Sequence, residues 1–194
     1  HMIARVLPLL FLLGCPKDET LSPLPDTGMP ELECPENTSP IVIHGGLERW
    51  CESRSGIKHG YWVSWHPNNQ RKSVGYYQFG KRHGPYREWF DNGTLKTKGK
   101  YDNGLRQGEW EYYYFTTQMW SQGAFLEGEE HGLWRTWYPN GRSQSEGGYI
   151  EGAEFGRWTT WYPNGKKSSE GDYEDGFPTG EWQYWDDAGR RISK

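Results

Sequence analysis

Three histidines, His59, His83 and His131, each stand immediately before a glycine. Imidazoles repeated in one column could ligate a metal or change charge near neutral pH. Gln107, Phe155 and Thr179 fill the same place elsewhere, so the column reads as a shared loop position. Cys15, Cys34 and Cys51 have no zinc-type spacing and no histidine at ligand distance in sequence. Asp91-Asn92-Gly93 and Asp102-Asn103-Gly104 are turn chemistry, without the alternating acids of a calcium loop. Glu127-Gly-Glu-Glu130 and Glu174-Asp175 read as a solvated rim. No nucleophile elbow, phosphate loop or nucleophile–base pair stands in a suitable context. The expectation is a chain that is not an enzyme and carries no metal or cofactor. What remains is aromatic contact chemistry. Tyr112, Tyr113, Tyr114, Phe115, Met119 and Trp120 form the candidate binding patch. There Trp120 replaces the polar Lys72, Lys96, Gln144 and Ser168 of its column, and Tyr and Trp dominate contact energetics at interfaces. The alternative is drift with local repacking.

The elements that hold these residues come from a repeat. Glycines at 60, 84, 108, 132, 156 and 180 advance by a constant step of 24, each opening a similar string such as Gly132-Leu-Trp-Arg-Thr-Trp-Tyr-Pro-Asn-Gly141. A fixed period of that size marks a stacked array in which each unit packs on its neighbours. Leu133 to Tyr138 is rich in strand formers, and Pro139-Asn140-Gly141 supplies a turn. Ser143 to Tyr149 returns as a second strand, and the loop Glu151-Gly-Ala-Glu-Phe-Gly156 leads to the next unit. Each repeat is therefore a β-hairpin, and the fold class is all-β, an elongated single antiparallel sheet. A second glycine column runs through Gly75, Gly99, Gly123, Gly147 and Gly171. A two-residue turn would set Trp62 opposite Gly75, an indole covering a bare glycine. A three-residue turn with a bulge would set Trp62 opposite Val74. Trp62 and Trp65 differ in parity, so rings point to both faces.

Net charge is −4 with no basic excess, which argues against a nucleic-acid partner. From residue 59 onward eight Leu, Ile and Val face eleven Trp and thirteen Tyr, so the chain folds around rings.

The N-terminal part divides differently. Residues 1–14 read as a signal peptide, with Arg5 as the positive region and Val6 to Leu13 as the apolar run, too short to span a bilayer. Residues 15–35 are a proline-rich tether. Residues 36–58 read as a degenerate capping repeat, with a hairpin turn at His44-Gly45 that sets Thr38 opposite Cys51. Cys34 and Cys51 are the natural disulfide pair of an exported chain if the backbone turns back near Pro35; two free thiols are the alternative. The tail Arg190-Arg-Ile-Ser-Lys194 puts cations on the last edge and discourages edge pairing.

Two resemblances rest on these residues. Leu12-Leu13-Gly14-Cys15 resembles the lipobox of bacterial lipoproteins, which implies lipid attachment at Cys15 and anchoring in the cell envelope. Loss of Arg5 with the signal would leave a charge of −5, so the lipid rather than electrostatics would hold the membrane. The unit Gly-x-Trp-x-x-Trp-Tyr-Pro-Asn-Gly resembles the MORN repeat in its variant bacterial form, over six repeats in residues 59–194 and weakly over 36–58. That resemblance implies a non-catalytic sheet used for protein interaction or scaffolding, here with an envelope protein. A carbohydrate or cell-wall binder and an antitoxin-like inhibitor are the alternatives; a glycan partner fits the aromatic content, whereas the export signal argues against a cytoplasmic antitoxin.

Overall fold

The computed structural model describes residues 32–193. Cys15, the signal segment and most of the tether lie outside the described residues. The fold is one antiparallel sheet in which consecutive strands are neighbours. It opens with β1 (Thr38–Ile43) and β2 (Glu48–Ser53), followed by β3 (Lys58–Trp65) and β4 (Arg71–Gln78). A two-residue strand β5 (Lys81–Arg82) pairs only with β4 and leads into β6 (Gly84–Trp89) and β7 (Leu95–Asp102). Next come β8 (Leu105–Tyr113), β9 (Met119–Leu126), β10 (Glu129–Trp137) and β11 (Ser143–Ile150). The sheet ends with β12 (Ala153–Trp161), β13 (Lys167–Glu174), β14 (Phe177–Trp185) and β15 (Arg191–Ile192).

Two turns alternate along the sheet. Within each repeat, Tyr138 N–H donates to Arg142 O and Gly141 N–H to Tyr138 O, both at 2.8 Å, with Gly141 at φ 79°. This is a three-residue turn, in which proline presets φ and the third residue takes the left-handed conformation. Between repeats the connection is far shorter than the loop read from the sequence. Ile150 pairs with Ala153, leaving only Glu151 (φ 51°) and Gly152 (φ 76°) in a tight turn with two positive φ values. That turn type matches the right-handed twist of the strands it joins, so β12 begins at Ala153 rather than near Gly156.

Both sequence registers are present, at different heights of the same hairpin. Next to the turn Trp65 pairs with Arg71, whereas further out Ser64 pairs with Ser73 and Trp62 with Gly75. Lys72 is the extra residue, a β-bulge that converts the three-residue-turn register into the glycine register. The same shift occurs at Lys96, Trp120, Gln144 and Ser168. The column to which Trp120 belongs is the bulge column.

The cap departs from its expected register. Pro40, not Thr38, lies opposite Cys51, because the connection is His44 to Leu47 rather than a two-residue turn. His44, Gly45 and Gly46 all take positive φ, which needs the longer loop. The chain does turn back at Pro35, whose carbonyl accepts both the N–H and the hydroxyl of Thr38. Cys34 and Cys51 are bonded through their sulfurs.

Along each rim, repeats are tied turn to turn. Asn68, Asn140 and Asn164 donate to the carbonyls of Asp91, Pro163 and Asp187, each 23 residues ahead. On the opposite rim, Gly104, Gly128, Gly152 and Gly176 donate N–H groups to Arg82, Arg106, Glu130 and Glu154 carbonyls. Tyr114, Tyr138 and Tyr162 hydroxyls bond the carbonyls of Trp137, Trp161 and Trp185 in the same way.

Candidate functional site

The site is one face of the sheet, and the leading glycines create it. Gly108 takes φ 67° and Gly156 φ 70°, a conformation that costs glycine little and other residues more. Each sits where the ladder to the preceding strand is interrupted, between Lys100–Gln107 and Lys98–Glu111 in one case. The bend throws the following tryptophan back over the glycine of the previous repeat. A Cβ on Gly147 would lie 2.0 Å from Trp158 Cδ2, and one on Gly99 2.3 Å from Trp110. The ring covering each of these glycines thus comes from the next hairpin, a correction to the expected cross-strand cover. At Gly75 both Tyr86 of the next hairpin and Trp62 of the same one approach, at 3.3 and 3.8 Å. The indole N–H groups of Trp110, Trp134 and Trp158 donate to the carbonyls of Lys100, Ala124 and Gly148 at 3.1–3.2 Å.

The result is a continuous edge-to-face series of rings. From Tyr101 it runs through Trp110 (5.1 Å), Phe125 (6.0 Å), Trp134 (5.1 Å) and Tyr149 (6.1 Å). It continues to Trp158 (5.3 Å), Tyr173 (5.9 Å) and Trp182 (5.1 Å). Edge-to-face geometry sets the positive ring edge against the negative ring face and adds about 0.5–1.5 kcal/mol per pair. The opposite face carries the second tryptophan column, such as Trp65 under Arg49, together with the ion pairs Lys98–Glu111 and Arg135–Glu146.

The structure divides the candidate patch. Tyr112, Tyr114 and Trp120 share the aromatic face. Trp120 meets the Tyr112 ring edge-on at 6.0 Å and Tyr114 at 6.5 Å, and it is 46% exposed. Tyr112 also stacks on Trp110 and Trp134 and receives a 3.2 Å bond from Arg106. Tyr113 and Met119 pair with each other on the opposite face, where the Tyr113 hydroxyl donates to Glu111. Burial and that carboxylate push the Tyr113 phenol up to about 12. Phe115 sits in the turn, packed on Phe90 at 5.5 Å. The histidine column does not converge: His59 packs on Phe79, and His83 Nδ1 lies 3.3 Å from Asp102. Among the described residues no three His, Cys, Asp or Glu side chains are placed to hold a metal.

One column of the aromatic face escaped the sequence reading. Lys58, Arg82 and Arg106 stand 24 residues apart, and each lies over the ring 19 residues ahead. Lys58 is 5.3 Å from the Tyr77 centroid, Arg82 5.2 Å from Tyr101 and Arg106 3.8 Å from Phe125. The next members of the column are Glu130 and Glu154, paired with Phe125 and Tyr149. Glu130 therefore belongs to the aromatic face and not to the rim, although Glu127 does occupy the turn. The repeat period contained this signal, but it appears only when the charges are sorted by column.

Comparison with known proteins agrees with this construction. Residues 82–103, 130–151 and 156–175 match the family described as MORN repeat variant. Those three segments are MORN-type repeats. These repeats serve generally as modules for protein or membrane interaction. No curated protein matches the chain. Among solved structures, the Glycosylation Associate Protein (Gap123) complex of Streptococcus agalactiae is similar at 16% identity. That match covers 59% of this chain and 22% of the other, with a TM-score of 0.33. The accessory secretory proteins 1, 2 and 3 of Streptococcus pneumoniae match at 14% identity over 54% of this chain and 20% of theirs, TM-score 0.33. The chain thus spans about a fifth of the length of the solved chains it matches.

Proposed function

We propose that this is a non-catalytic, lipid-anchored envelope protein whose MORN-type sheet binds a partner protein through the aromatic face. The observation that carries the reading is Trp120. It replaces a polar residue at the bulge of the third hairpin, stays 46% exposed and joins Tyr112 and Tyr114 on the ring-lined face. A large exposed ring at the edge of a rigid aromatic surface offers contact area at little entropic cost. The rims, by contrast, are spent on repeat-to-repeat hydrogen bonds.

The test is retention of envelope proteins on immobilised full-length chain, with Trp120→Ala as the comparison. The wild type is expected to retain a defined partner, and the variant to lose at least tenfold in affinity while its melting temperature moves by no more than about 2 °C. A large drop in melting temperature would assign Trp120 to the fold. Binding to a glycan array instead of protein would replace the reading with a carbohydrate one. The anchor has its own test. Cys15→Ser should move the chain from the membrane fraction to the soluble envelope fraction, and a variant that stays with the membrane would remove the lipid from the proposal.

A further inference from the structure

We infer that the aromatic face from Trp134 in the fourth repeat to Trp182 in the sixth docks a basic protein segment. The Arg or Lys side chains of that segment would occupy the places that Lys58, Arg82 and Arg106 fill within this chain. The inference rests on the protein-binding reading above and names the chemistry of the partner.

The chain displays both the occupied and the open form of one site. In the first three members of the column a cation lies over the ring 19 residues ahead, at 3.8–5.3 Å. The negative ring face attracts a cation at such distances, and more strongly where water is excluded. Of the three capped rings Phe125 is 2% exposed while Tyr77 and Tyr101 are half-buried, with Tyr86 and Trp110 buried beside them. In the fourth and fifth members the rings continue as Tyr149 and Tyr173, but the column residue is Glu130 or Glu154. A carboxylate is repelled by a ring face, and neither glutamate forms an ion pair among the described residues. Trp134, Tyr149, Trp158, Tyr173 and Trp182 are half-buried rather than buried.

Each open place therefore joins a ring face to an unpaired carboxylate, a combination that attracts an external cation twice over. A guanidinium is the better fit, because it stacks on a ring and bonds a carboxylate with the same planar group. The two places lie two strands apart, roughly 10 Å. A polyproline segment presents every third side chain on one side at about this spacing.

The experiment titrates the full-length chain with a synthetic (Arg-Pro-Pro)4 peptide, its citrulline counterpart, and choline chloride, following indole N–H resonances. The arginine peptide is expected to bind saturably at low salt, shifting Trp134, Trp158 and Trp182, at least tenfold more tightly than the citrulline peptide. Glu130→Arg/Glu154→Arg, which supplies the cations internally as Arg82 and Arg106 do, should lose at least tenfold while remaining folded. Glu130→Gln/Glu154→Gln should lose severalfold and guards against a folding defect in the arginine variant. Equal binding of the two peptides, or undiminished binding by either double variant, overturns the inference. So does no binding of the arginine peptide, or choline binding as tightly as that peptide. If the partner captured by wild type is lost by Trp120→Ala but kept by Glu130→Arg/Glu154→Arg, the protein-binding reading stands and this inference alone fails.

Discussion

Single residues set the fold here through the space they leave empty. At Gly147 a methyl group would meet three atoms of Trp158 within 2.4 Å, and the indole has nowhere to retreat because Tyr149 and Tyr173 flank it edge-on. Gly147→Ala is therefore expected to destabilise the protein by about 3 kcal/mol, at the upper end of overpacking effects. Gly75→Ala should be milder, since its nearest neighbour is Tyr86 at 3.3 Å. Denaturant midpoints of the two variants, measured side by side, decide the point, and equal losses would contradict the packing argument. The same scale explains why the charge column is hidden in the sequence. Glu130 stands in an acidic run, and its side chain is assigned to a face only by pairing with Phe125.

Among the elements, the third hairpin keeps its turn while losing the residues that usually build it. Tyr114 N–H still donates to Gln118 O at 2.8 Å, and Thr117 takes φ 75° where Asn69, Gly93, Gly141, Gly165 and Gly189 stand in other repeats. A β-branched residue in the left-handed region carries about 1–3 kcal/mol of strain. Thr117→Asn should relieve about 1 kcal/mol of it, seen as a higher denaturant midpoint, and a lower midpoint would show that the hydroxyl or methyl does other work there. Hairpins, repeat period and sheet class are all legible in the sequence, because ring spacing recurs in six units and turn residues in five of them, and both are local. Register is legible only as two alternatives. The bulge that admits both has no residue-type signature, since Lys, Trp, Gln and Ser all occupy it. The inter-repeat loop is shorter than its sequence suggests for a related reason. Glu151-Gly152 is a complete turn by itself, and the chain from Ala153 onward pairs as strand. The candidate patch falls within one short stretch of sequence, but strand alternation sends Tyr113 and Met119 to the face opposite Tyr112 and Trp120.

For the molecule as a whole, stability is tied to phenols kept neutral. Tyr86, Tyr112, Tyr113, Tyr114, Tyr149 and Tyr173 are all held above the ordinary phenol range, with burial the first cause in each. At Tyr149 the carboxylates of Glu154 and Glu130 add to it. A group whose folded pKa is raised binds its proton more tightly in the native state. Its contribution is then complete below the unfolded value of about 10 and is lost as pH rises through the folded value. The protein should therefore hold its melting temperature up to about pH 10 and lose it progressively toward pH 12 and above, in step with phenolate absorbance. A melting temperature unchanged across that range would show that the rings are not coupled to the fold in this way.

The turn-to-turn hydrogen bonds along both rims restrict how such a chain can change length. One residue added within a strand would exchange the two faces of everything beyond it, as side-chain alternation requires. One residue added to a turn would take that turn out of line with both neighbours, to which Asn140 and Gly152 are bonded. An insertion that respects strands and rims together must bring a complete unit of 24 residues, its own glycines and its own indole included. Length in this molecule is a discrete variable, and duplication or loss of an entire hairpin is the smallest change that leaves every surviving contact in register.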